Sequence, residues 1–392
     1  MTPAARVQAA IEILDEIIVA ARDNGPPADT LVRRYFKDRR YAGSKDRRAV
    51  REWVFAAIRR AGDRPETGRA AMVGMAREDE ALSQLFTGDG YGPAAIDASE
   101  AGAPVQLIPE WIQVELSPLV SLNEWPALLS RAPVDLRAHA ARTTREAMLR
   151  EVEDAEATPH SPWGLRLPPD SRIDNHPAYR DGLIDVQDEG SQLIVEAADP
   201  RDGMTILDLC AGAGGKSLAL AALAPEARII ASDTSRARLS QLPSRAEQAQ
   251  SGNIETRLLD MPKEAEQLAD LDGQCDIVLI DAPCSGSGTW RRNPEGRWRL
   301  SPDRLDRLVE TQARLIDLAM PLVKPGGKLV YAVCSLLSKE GEGQMEAASS
   351  RYSSLQWQDA LNVGRKAGKG YLLTPAHDGT DGFFFAVARK AC

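Results

Sequence analysis

Histidine is scarce in this chain, four in 392 residues, and no CxxC pair or HExxH segment accompanies it. That leaves no ligand set for a structural or catalytic zinc, and no metal is expected. Cysteine is equally thin. Five residues, an odd number at wide spacing, exclude a disulfide framework and fit a reduced, cytoplasmic protein. No apolar run approaches the roughly 20 residues of a membrane span. The start, MTPAARVQAAIEILDE, is amphipathic with early acids and does not read as a secretion signal. Internal repeats and low-complexity tracts are missing too.

What is there describes a globular protein: 43% hydrophobic and 27% charged residues, in a chain long enough for two domains or slightly more. The net charge of −9 argues mildly against a nucleic-acid partner. Its distribution argues the other way. Residues 33–60 hold 11 Lys/Arg against 3 Asp/Glu, a balance of +8 that leaves −17 for the remainder. Such a stretch serves either as a phosphate-binding patch or as an ordinary solvated helical face.

The first part of the chain has helical periodicity. Val7, Ile11, Leu14 and Ile18 recur at helical spacing, as do Val50, Trp53, Val54, Ala57 and Ile58. Leu31, Val32, Tyr35 and Phe36 form a third stripe after Pro26 and Pro27, with Asp29 or Thr30 available as its cap. Residues 87–108, rich in Gly, Ala and Pro, read as a loop or weak joint. From about residue 200 strands alternate with helices. Strand-like runs cover 204–209, 228–232, 254–259, 275–281, 327–333 and 382–388, with a long helical stretch from Pro302 to Val323. Buried strands separated by helices predict a doubly wound α/β domain around a parallel sheet. Three parts are expected: a helical domain over 1–125, a small subdomain over 126–199, and the α/β domain over 200–392.

DLCAGAGGKS (208–217) sits at the first strand-to-helix turn, where glycines let the backbone approach a ligand and the helix start offers free N–H donors. Several nucleotide folds share this device. The segment is neither a P-loop, which would need glycine at Cys210, nor GxGxxG. Asp233 ends the second strand, where a carboxylate can accept two ribose hydroxyls. Asp260 follows the third strand, toward where an adenine amino group would lie. Either acid alone would also read as a helix cap.

DAPCSGSGTWRRNPEGRW (281–298) follows the fourth strand and YAVCS (331–335) ends the fifth. Ligands of open parallel sheets bind outside the strands' carboxyl ends. Neighbouring strands lie about 4.8 Å apart, so Cys284 and Cys334 can face one small volume. Two thiols there suit methylation at carbon 5 of a cytosine. That carbon is a poor nucleophile until a thiolate adds to carbon 6, and a second group must then help the sulfur leave. Cys210 and Cys275 lie in apolar runs and also read as small buried hydrophobes; no role is arguable for Cys392.

DLCAGAGGKS, DAPCSGSGTWRRNP, KPGGKLVYAVCS and DGTDGFFFAVARK resemble the signature segments of the RsmB-like, Sun-type RNA cytosine-5 methyltransferases. The likeness extends through PVDLRAH (133–139), SPWGLRL (161–167) and GLIDVQDEGSQLI (182–194), covering about 131–392. More loosely, GSKDRRAVREWVFAAIRR (43–60) is similar to the helical NusB-like RNA-binding domain that precedes the catalytic fold in such enzymes. The resemblance implies a class I Rossmann-like methyltransferase domain. It implies S-adenosyl-L-methionine held by Cys210, Ala211, Gly212, Ala213, Gly214, Gly215 and Lys216 with Asp233, Asp260 and Asp281. It implies Cys334 as nucleophile and Cys284 as the cysteine promoting release, with Asp281 also facing the base and Arg291, Arg292 and Asn293 lining an RNA path. The implied partner is ribosomal RNA, with transfer RNA as runner-up, for a monomer with no membrane role. Two departures stand out. The family's usual CAAPGGKT has Gly212, Ala213 and Ser217 here, and its usual Thr-Cys is Val333-Cys334. The rivals are a DNA cytosine-5 methyltransferase, against which a second cysteine at 334 speaks, and a catalytically silent RNA-binding assembly factor on the same scaffold.

Overall fold

The computed structural model describes residues 1–392. Its chain divides into two compact units. The first holds Met1–Leu116, Trp125–Ser130 and Thr289–Pro302; the second holds Ser117–Glu124, Arg131–Gly288 and Asp303–Cys392.

The first unit is helical, with α1 (Pro3–Arg22), α2 (Ala28–Lys37), α3 (Ser44–Arg60) and α4 (Gly68–Ala76). Of the stripes expected from the sequence, Val7, Ile11, Leu14 and Ile18 on α1 and Leu31, Val32, Tyr35 and Phe36 on α2 are buried, and that of α3 is buried except at Trp53, which is half-buried. Neither Asp29 nor Thr30 caps α2. Pro27 stands at the cap, and the Ala28 N–H instead donates to the Glu295 carboxylate at 2.9 Å. Asp29 is taken up by Arg51, 3.0 Å away. Glu295 reaches α2 because segment 289–302 is built into this unit. Trp298 is 2% exposed in its core and donates its indole N–H to the Ala61 carbonyl at 2.8 Å. The buried Arg297 guanidinium donates to the Ile58 carbonyl at 2.6 Å. The expected division at 125 and 199 is therefore not the observed one, because the helical unit recruits a segment from the middle of the α/β sequence.

In the second unit, β1 (Val134–Ala138), β2 (Glu156–Ala157), β3 (Gly164–Leu167) and β4 (Ile184–Val186) form an antiparallel sheet in the order β2-β3-β1-β4. It has its own core around Leu136, Leu165 and Ile184. The larger sheet contains β5 (Thr205–Asp208), β6 (Arg228–Asp233), β7 (Ile254–Leu258), β8 (Cys275–Asp281), β9 (Val323–Val333), β10 (Leu355–Gln358), β11 (Arg365–Ala367), β12 (Gly370–Leu373) and β13 (Phe383–Lys390). Its order is β11-β12-β13-β9-β8-β5-β6-β7, with β10 also on β13. The five strands from β5 to β9 pair in parallel, as the apolar runs predict, whereas β13 runs antiparallel to β9 and to β12. The sheet is thus mixed rather than parallel. The link 374–382 is shorter than the dozen or so residues a parallel crossover needs. Strand order reverses at β5, flanked by β6 and β8, and the crevice beyond the carboxyl ends of β5 and β8 is where such sheets bind ligands.

Candidate active site

Four strand ends converge on that crevice. β5 delivers Asp208, β6 Asp233, β8 Asp281, and β9 the turn that begins with Cys334. The loop after β5 turns sharply at Gly212, φ +58°, and Gly214, φ +85°. A side chain would be strained at either. A Cβ on Gly212 would meet the Arg238 guanidinium at 2.1 Å and one on Gly214 would meet Leu242 at 2.2 Å, whereas one on Gly215 would meet nothing within 4 Å. The loop is fastened on both sides. The Gly212 N–H donates to Asp233 Oδ2 at 2.8 Å, the Ala211 N–H to the Ser232 carbonyl at 2.9 Å, and Arg245 to the Ala213 carbonyl at 2.6 Å. Helix 215–223 starts at its end, leaving free N–H groups toward the crevice.

Asp208 was missed by the sequence reading, although it opens the quoted loop. Its side chain is fully buried, with Oδ2 accepting from the Ser217 hydroxyl at 2.7 Å and Oδ1 unpartnered. Burial pushes this carboxyl up to about 7; the Ser217 hydroxyl opposes the rise and the neighbouring Asp281 adds to it. Burial and the charges of Asp208, Asp281 and Asp233 also push the Cys210 thiol up, which suits a wall residue rather than a nucleophile. Asp260 follows Leu259, whose N–H donates to the Asp233 carbonyl at 3.0 Å. It is exposed, and its carboxylate meets the Gln267 amide at 3.4 Å.

Lys216 is buried, and its ammonium meets Asp281 Oδ2 at 2.7 Å. Burial alone would lower its pKa, but Asp281, Asp208 and Cys334 together more than offset that, Asp281 contributing most, so the ammonium stays charged. Cys284 and Cys334, 50 residues apart, bring their Sγ atoms to 3.3 Å. The hydrogen bond to Cys334, then burial, then repulsion from Cys334 and Glu340 raise the Cys284 thiol well above its ordinary value. The Sγ–Sγ contact is a hydrogen bond in which either thiol can be the donor. Of the expected RNA-path residues, Arg291, Arg292 and Asn293 all fall in the helical unit. Arg291 is buried there at 5% exposure, so solvent, and hence a ligand, reaches the exposed Asn293 and part of Arg292.

The profile of the family described as "16S rRNA methyltransferase RsmB/F" matches residues 195–389. Ribosomal RNA small subunit methyltransferase B of Pectobacterium carotovorum subsp. carotovorum is 32% identical over 302 residues, covering 72% of this chain but 66% of the relative, just under two thirds of its length. The enzyme of the same name from Erwinia tasmaniensis is 31% identical over 326 residues, covering 80% of this chain and 70% of the relative. Among solved structures, that of PH0851 superposes on 98% of this chain and 99% of its own with a TM-score of 0.77, at 20% identity, a likeness of fold.

Proposed function

Since this chain belongs to the RsmB/F family of 16S rRNA methyltransferases, we propose that it methylates carbon 5 of a cytosine in ribosomal RNA through a covalent adduct at Cys334. The observation that carries this reading is the pair of thiols 3.3 Å apart at the ends of β8 and β9.

The residues present fit S-adenosyl-L-methionine, the cofactor of this fold. Asp233 stands at the end of β6, bonded to the Gly212 N–H of the loop, and the side-chain-free Gly215 borders open space at a helix start. Residues 210–216 and Asp233 would hold it, and when bound it supplies the electrophilic methyl group. Asp260, being exposed, would serve only at the crevice's rim.

In this mechanism Cys334 adds to carbon 6, which makes carbon 5 nucleophilic. Negative charge then builds on the ring. The Lys216 ammonium, fixed by Asp281, is the buried cation at hand to balance it. After methylation the carbon 5 proton departs to a base, the carbon 5–carbon 6 double bond re-forms and the sulfur leaves as thiolate. The Cys284 S–H, 3.3 Å from that sulfur, donates to it on departure and stabilises it. The base must lie unstacked in the crevice, which favours a loop or single-stranded target. The helical unit, with its cationic 33–60 stretch, serves in this reading as a NusB-like RNA-binding domain.

The test is methyl transfer from labelled cofactor onto 16S rRNA and onto tRNA, followed by nucleoside analysis. Label in 5-methylcytidine from 16S rRNA is expected. Label in an N-methyl or ribose-methyl nucleoside, or none in either RNA, would contradict the proposal.

A further inference from the structure

Beneath the two cysteines lies a carboxylate that the mechanism above leaves unused. Glu340 is 0% exposed, yet it is well satisfied. Its Oε1 accepts the Ser285 backbone N–H at 2.8 Å and the Gln312 amide at 2.9 Å, and its Oε2 accepts the Ser335 hydroxyl at 2.5 Å. Its own carbonyl accepts the Tyr331 hydroxyl at 2.7 Å. Ser285 and Ser335 are the residues directly after Cys284 and Cys334, so one side chain grips both cysteine turns. Three hydroxyls complete the grip: Ser285 to Ser335 at 3.1 Å, Ser287 to Ser335 at 3.1 Å, and Ser285 to Ser287 at 3.2 Å. The Gly288 N–H closes it by donating to the Cys334 carbonyl at 3.0 Å.

Burying a carboxylate costs several kcal/mol unless its partners repay it, and a fold that needed only packing here would do as well with an apolar residue. We propose that Glu340 is a positioning residue: through Ser285 and Ser335 it sets the spacing of the two thiols and gives them unequal surroundings. Cys334 and Glu340 raise the Cys284 thiol, and a bond from the Gly286 backbone opposes them. Of these, Glu340 disfavours negative charge on Cys284. The clamp thereby gives two chemically identical side chains unequal tasks. This inference rests on the roles assigned to the cysteines above, but its first readouts do not need RNA.

Those readouts are the rate at which diamide, an oxidant of dithiols, joins Cys284 to Cys334, and the pH profile of alkylation of each thiol, followed by mass spectrometry on the full chain. Glu340→Gln keeps an acceptor for Ser285 but removes the charge. It should not slow the diamide reaction and should move the Cys284 alkylation profile to lower pH. Glu340→Ala and Ser335→Ala loosen the clamp and should slow disulfide formation. In methyl transfer, misplacement by around 1 Å costs about a hundredfold in rate, so Glu340→Ala should lose about that in kcat with KM for RNA unchanged, and Glu340→Gln should recover most of it. Cofactor binding by calorimetry checks that each variant is folded; should Glu340→Ala fail that check, Ser335→Ala and Glu340→Gln carry the test. An unmoved Cys284 profile in Glu340→Gln, or an unslowed disulfide in the clamp variants, overturns the inference. Absence of RNA methylation by the unaltered protein would instead defeat the proposed function and leave the thiol readouts standing.

Discussion

Asp208 shows what a single residue contributes to this crevice. Its carboxyl is pushed up to about 7, chiefly by burial. The folded value lies above the unfolded one of about 4, so the folded state binds the proton more tightly. The group's contribution to stability is full below the unfolded value and is lost as pH rises through the folded one. Asp208→Asn keeps an acceptor for Ser217 and removes the charge. It should match the unaltered protein near pH 4 and exceed it increasingly toward pH 8, by on the order of 1–4 kcal/mol at the upper end. Thermal melts across that range would show it, and a gap that stays constant or narrows would contradict it. The position was hard to find in the sequence because an acid ending a strand carries no mark of its burial. Glu340 was invisible for the same reason: its four partners, Ser285, Gln312, Tyr331 and Ser335, come from one helix, one strand and two loops.

At the scale of elements, strand and helix boundaries were read nearly in full where the apolar period was strong. The run 275–281 is β8 itself, and 254–259 is β7 extended by one residue. Direction was not legible, because an apolar strand looks the same whichever way it runs, and β13 proved antiparallel. The cap of α2 was misread because its acceptor, Glu295, lies 267 residues away. The α2–α3 connection carries the most direct consequence for RNA. Lys37, Arg40, Lys45 and Arg48 are exposed and make no ion pair, while nearby Asp46 is already engaged by the amino terminus and Arg6. If these cations meet phosphates, a combined Arg40→Ala, Lys45→Ala, Arg48→Ala variant should bind RNA more weakly. Its plot of log K against log salt should flatten by about 0.7–0.9 for each phosphate no longer neutralised. An unchanged slope in filter-binding titrations would make this an ordinary solvated face.

For the whole molecule, the sequence announced the α/β fold and the reactive loops but not how the chain divides. RRNPEGRW follows the Cys284 loop without a break in texture, yet residues 289–302 belong to the helical unit. Only the tertiary structure reveals that Trp298 and Arg297 bond to the backbone of α3 and its exit. A helical part defined by sequence alone would therefore omit one of its own core residues. The cysteine pair was legible from the strand ends, whereas its asymmetry was not, since that depends on the Sγ–Sγ hydrogen bond and on Glu340.

The division of labour between those thiols is the central claim, and denaturing gels with labelled RNA test it most directly in the full chain. Cys334→Ala should bind cofactor, form no covalent RNA complex and transfer no methyl group. Cys284→Ala should attack and methylate but release slowly, because the departing sulfur loses its hydrogen-bond donor, and so should accumulate a denaturant-resistant protein–RNA complex. A complex that persists in Cys334→Ala and vanishes in Cys284→Ala would contradict the account and exchange the two roles.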